Sequence, residues 1–120
     1  MKNISREDLF LAILKEELIP AMGCTEPIAL AYAAARARKL LSSAPTAILA
    51  RCSGNIIKNV RCVSIPNSGG MIGIEPAVAL GAFGGDDSLG MEVLEAVREQ
   101  DRIAVSAFLE AGGCRVEYLP

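Results

Sequence analysis

The sequence predicts an α+β domain, mainly helices packed on a small, largely antiparallel sheet. Three observations carry this. Segments with apolar residues at helical spacing fill most of the chain, runs with strand character lie near residues 46–53 and 57–65, and a third alternates over 114–119. At 120 residues the chain reads as one domain over 1–120. Folding at that size buries roughly two-thirds of the unfolded surface, enough for one core.

The elements follow in order. Ser5 suits an N-cap, Glu7 and Asp8 suit a first turn, and Leu9, Phe10, Ile13, Leu14 and Leu18 repeat at helical spacing up to Pro20. A second helix starts at Glu26-Pro27 and runs to about Leu41, apolar all round in its first half and basic at its end. Thr46 opens a strand, Gly54-Asn55 reads as a turn, and 57–65 reads as the next strand. A glycine-rich loop, Pro66 to Gly73, leads into a helix from Glu75-Pro76 to about Phe83. Helices over 89–100 and 102–110 follow, the latter closed by Gly112-Gly113. In the final strand Val116 and Tyr118 take one face, Arg115 and Glu117 the other. Glu26-Pro27 and Glu75-Pro76 each open an Ala-rich helix, which common helix-start chemistry explains without an internal repeat.

Composition narrows the function classes. The chain is 52% hydrophobic but only 4% aromatic, with no tryptophan, so its core is built from Ala, Val, Ile and Leu in close backbone approach. A net charge of −2 gives no basic field for nucleic acid. The longest purely apolar run, 28–35, is too short to span a bilayer, and no signal peptide is visible, so a cytoplasmic protein without a membrane partner is expected. There is no histidine, which excludes histidine triads, Cys–His dyads and histidine-ligated metals within this chain. The four cysteines, at 24, 52, 62 and 114, form no C-x-x-C pair and so no zinc ribbon.

Two regions could carry chemistry. Cys24 lies just ahead of a helix N-terminus, where the dipole favours a thiolate; the alternative is a small buried hydrophobe beside the helix start. The loop with Asn67, Ser68, Gly69 and Gly70 offers backbone N–H groups and two polar side chains, a geometry that can cradle a carboxylate or phosphate. It is neither a P-loop nor a dinucleotide fingerprint, and taken alone an ordinary connection needing positive φ is the somewhat favoured explanation. Lys58 and Asn59, in the segment leading there, are either solvated or paired with a substrate carboxylate. Asp86-Asp87 reads as a helix N-cap.

Three blocks in order, Gly23-Cys24-Thr25-Glu26-Pro27-Ile28-Ala29, Ser53-Gly54-Asn55-Ile56-Ile57-Lys58-Asn59-Val60 and Ile65-Pro66-Asn67-Ser68-Gly69 through Gly73-Ile74-Glu75, resemble the L-cysteine desulfidase family, and Ala79-Leu80-Gly81-Ala82 also matches. That family is similar to the alpha part of iron–sulfur L-serine dehydratases. The resemblance implies that this is the N-terminal portion, a partial domain, of a larger lyase that converts L-cysteine to sulfide, ammonia and pyruvate, or L-serine to ammonia and pyruvate. It implies a [4Fe–4S] cluster with Cys24 as one ligand and the others outside this chain. Lys58, Asn59, Asn67, Ser68, Gly69 and Gly70 would then bind the substrate carboxylate; the catalytic base is not identified. The implied partners are a small amino-acid substrate and a C-terminal complement of the same enzyme, and a homo-oligomer is compatible. Without that complement the chain would be inactive. The alternative is a non-catalytic remnant that binds a small carboxylate or serves as an assembly domain.

Overall fold

The computed structural model describes residues 8–13, by their backbone, and 26–120. Its elements are β1 (Asp8–Ile13), α1 (Glu26–Arg38), β2 (Ala47–Cys52), α2 (Gly54–Val60), α3 (Ile74–Gly84), a 3-10 segment (Asp87–Ala96), α4 (Glu99–Glu110) and β3 (Cys114–Tyr118). The fold class is α+β, as the sequence predicts.

The sheet is parallel, not antiparallel. Its strand order is β1-β2-β3, with Asp8 opposite Ala47 and Ile48 opposite Cys114. The antiparallel expectation rested on a hairpin at Gly54-Asn55. Those residues instead begin α2, whose N-cap Ser53 accepts a hydrogen bond from the Ile56 N–H at 3.3 Å. Ile56 and Val60, four apart, bury on one side of that helix, so the predicted strand over 57–65 is mostly helix and turn. With no hairpin left, each strand is reached through helical crossovers, and crossovers deliver parallel neighbours. The helix predicted from Ser5 is likewise replaced, over Asp8–Ile13, by β1; the rest of that expectation lies outside the described residues.

Helices cover one face of the sheet. Along β2, Ile48, Ala50 and Cys52 are buried beneath them, and Cys114 and Val116 of β3 pack on the same core. On the opposite face Arg51 and Glu117, which are register partners, pair at 3.5 Å. The core centres on α1 against α3. Leu30, Ala31 and Ala34 of α1 and Ala77, Val78, Leu80 and Gly81 of α3 are buried, and Gly81 lets the helices meet backbone to backbone. Small residues thus supply the close approach that an aromatic-poor composition requires.

Around this pair, Phe83 of α3 meets Phe108 of α4 at 4.9 Å between ring centroids. Asp87 ties the 3-10 segment to the end of α1 through Lys39, at 3.1 Å, and Arg36, at 3.7 Å. The helix predicted over 89–100 is this 3-10 segment instead. Gly90, at φ 61°, and Glu92 are non-helical inside it, and α4 starts afresh at Glu99. Asp101 supports that start by accepting the Arg98 N–H at 2.9 Å. The described residues enclose a core of their own, so the expectation of a partial domain is not met.

Candidate functional site

The glycine-rich loop is built as a closed excursion between α2 and α3. Ser64 bridges Ile72 in antiparallel fashion, the Ile65 N–H donates to the Met71 carbonyl at 3.0 Å, and the Gly73 N–H donates to the Val63 carbonyl at 3.2 Å. Ser68 seals the turn from inside. It is buried, its hydroxyl donates to the Ile65 carbonyl at 2.7 Å, and its oxygen accepts from the Met71 N–H at 2.8 Å. Gly69, Gly70 and Gly73 lie at φ 76°, 100° and 108°, in the region that favours glycine.

Asn67 latches this loop to the junction between the 3-10 segment and α4. Its backbone is left-handed at φ 57°, which Asn tolerates better than most residues. Its amide group donates to the carbonyls of Leu94, at 2.8 Å, and Val97, at 3.1 Å. The Arg102 guanidinium donates to the Asn67 backbone and side-chain oxygens, at 3.1 and 3.2 Å, and to Glu99 at 3.2 Å. Of the two polar side chains of the predicted anion cradle, Ser68 is buried in the turn, and Asn67, although exposed, is bonded to protein partners. Gly69 packs beside the Arg102 stem, and Gly70 has open space around its Cα.

The other predicted residues sit elsewhere. Lys58 and Asn59 are exposed on α2 rather than in a strand. Asn59 reaches the start of α1, donating to the Glu26 carboxylate at 3.1 Å. Glu26 is itself only 7% exposed, so this bond satisfies part of a buried carboxylate. No hydrogen bond or ion pair joins Lys58 or Asn59 to the Asn67–Gly70 loop among the described residues. The structure brings the four loop residues together but does not join the α2 pair to them. Cys24 lies outside the described residues.

The sequence reading did not single out α4 as part of the site. Ser68, Gly69 and Met71 form one wall of an open depression of about 340 Å³, and Glu99, Arg102, Ile103 and Ser106 form the other. Those four positions fall at i, i+3, i+4 and i+7, one helix face. That spacing was the available signal, but a solvated face shows the same pattern. The depression holds one guanidinium already committed to protein acceptors and a carboxylate that answers its charge.

The described thiols are poor nucleophiles. Burial, reinforced by the Glu75 carboxylate, pushes the Cys52 thiol up to about 11. The same causes, with a small contribution from Cys52, push Cys114 up to about 12. Cys62 is exposed. Among the described residues no group of three or more Cys, Asp or Glu side chains is placed to hold a metal ion. None of the described helices is long and apolar enough to cross a membrane.

Fold and loop together define a helix-covered parallel-sheet lobe with an internally braced loop, and the comparisons give this class its relatives. The chain is 52% identical over 101 residues to a UPF0597 protein of Finegoldia magna, a match covering 84% of this chain and 24% of the relative. It is 50% identical over 96 residues to a UPF0597 protein of Treponema denticola, covering 80% and 22%. A UPF0597 protein of Lachnoclostridium phytofermentans is 45% identical over 107 residues, covering 89% and 26%. The chain thus spans about a quarter of the length of the curated relatives it matches. No family model matches, and no solved structure matches.

These relatives correct the resemblance drawn from the sequence. They carry the name UPF0597 protein, not that of an L-cysteine desulfidase, and the name states no activity. The reading of the chain as part of an iron–sulfur amino-acid lyase rested on that resemblance and is withdrawn with it. The alternative of a non-catalytic, carboxylate-binding or assembly remnant is not favoured either. The side chains meant to form its cradle, Asn67 and Ser68, are spent on protein partners.

Proposed function

We propose that the described residues are one lobe, with a core of its own, of a longer UPF0597-like protein, and that the remaining length of that protein packs against it. The observation that supports this reading is the braced loop. Asn67 spans to Leu94 and Val97, and Ser68 closes its own turn, so these two side chains tie the glycine-rich segment to the rest of the fold. The lobe also leaves large apolar side chains in water. Ile103, which lines the depression with Met71, is 62% exposed, and Ile72 is 54% exposed.

Calorimetry on this chain and on the intact Finegoldia magna relative tests the proposal. One cooperative transition in the relative, at a higher temperature than the chain alone shows, is the expected outcome. A separate transition in the relative at the temperature of the isolated chain would show an independent domain and sink it.

A further inference from the structure

The outer edge of β3 is an unfilled place in the sheet. Gly113 accepts a hydrogen bond from the Ile48 N–H at 2.7 Å, and the Leu119 N–H donates to the Cys52 carbonyl at 2.7 Å. Backbone groups alternate sides along a strand. Residues 113, 115, 117 and 119 therefore face β2, while Cys114, Val116 and Tyr118 present their N–H and C=O groups outward. No partner for those outward groups occurs among the described residues. The strand order places β3 at the edge.

This edge is only partly protected. β3 holds no proline inside Cys114–Tyr118, and its two charged residues, Arg115 and Glu117, pair with each other at 3.4 Å. Tyr118 stays 63% exposed at the end of the strand. Parallel sheets are ordinarily enclosed, because each strand arrives with a covering crossover.

We infer that the β3 edge receives a further parallel strand from the remaining length of the longer UPF0597-like protein. This rests on the reading of the chain as one lobe of that protein. Two observations select this occupant over a second copy. The relatives extend over about four times the matched length, so they hold sequence able to supply strands. Every pairing in this sheet is parallel, and successive parallel strands come through crossovers of one chain. Two copies joined edge to edge about a two-fold axis would pair β3 with itself in antiparallel fashion.

Amide hydrogen exchange tests the seam, comparing this chain with the intact Finegoldia magna relative along the strand that corresponds to β3. In this chain the amides of Arg115 and Glu117 exchange slowly and those of Val116 and Tyr118 freely. In the intact relative the positions matching Val116 and Tyr118 slow by at least about tenfold. Free exchange at those positions in the relative overturns the seam. If protection then appears instead around the positions of Ile72 and Ile103, the lobe reading survives and only the seam falls. If it appears nowhere, both fall. Protection of Val116 and Tyr118 in this chain that grows with concentration assigns the edge to a second copy and also overturns the proposal. Uniform exchange along β3 in this chain would show that the outward assignment is wrong.

Discussion

Gly81 and Ala31 are in backbone contact. A Cβ placed on Gly81 would overlap the Ala31 carbonyl oxygen and lie 2.7 Å from the Ala31 Cα. Neither helix can yield without opening the core they share. Gly81→Ala therefore destabilises the fold by about 3 kcal/mol, the upper end of the overpacking range, although alanine has the better helix propensity. Urea denaturation measures this, and a variant as stable as the wild type would contradict the packing described.

Asn67 is a donor that the loop needs. Asn67→Asp keeps the size of the side chain but removes both N–H groups and sets a carboxylate against the Leu94 and Val97 carbonyls. The Arg102 guanidinium, which already donates to the Asn67 side-chain oxygen, offsets part of that cost, so a loss of about 1–2 kcal/mol follows. Asn67→Gly suits the φ of 57° but removes both the donor to the carbonyls and the acceptor for Arg102. Thermal unfolding measures both losses, and an Asp variant as stable as the wild type would refute the latch.

Asn59 faces a buried carboxylate, Glu26, at 3.1 Å. Asn59→Asp replaces a donor with a second negative charge. The variant is less stable than wild type at neutral pH by about 1–3 kcal/mol. Urea denaturation reads the difference, and stability equal to that of the wild type would show that the two side chains do not meet.

The buried thiols predict an alkaline limb. Cys52 and Cys114 titrate near 11 and 12 in the folded chain, against an ordinary value of 9.0. The folded state thus holds these protons after the unfolded state has begun to release them. Their contribution is complete below about pH 9 and is lost as pH rises through 11 and 12. Unfolding free energy should fall over that range, and the fall should be shallower in Cys52→Ala. Alkylation near pH 8 followed by peptide mapping should label exposed Cys62 well before Cys52 or Cys114. Equal labelling of the three would contradict the burial.

The helices that carry their own termini were legible in the sequence. Glu26-Pro27 and Glu75-Pro76 mark the starts of α1 and α3, and Arg36 and Arg38 mark the end of α1. β2 and β3 were legible from alternation. α2 was not, because Ile56, Ile57, Val60, Val63 and Ile65 are β-branched and fit a strand as well as a helix. What decides it is Ser53 as a cap and the joint burial of Ile56 and Val60, a tertiary fact. That one misreading also produced the wrong sheet polarity. In the loop, Asn67 and Ser68 stood out as donors, but their acceptors did not. The Leu94 and Val97 carbonyls lie 27 and 30 residues onward, beyond any local pattern.

The strand order also constrains how the chain assembles over time. β2 pairs Ala47 with Asp8 on one side, but Ile48 with Cys114 on the other. As the polypeptide leaves the ribosome, β1, α1 and β2 are all present long before β3 is made, and N-terminal parts fold first during synthesis. Until then one side of β2 has no partner, and closing so distant a pair is slow. The nascent chain is therefore exposed to aggregation at the flank of β2 until β3 is made.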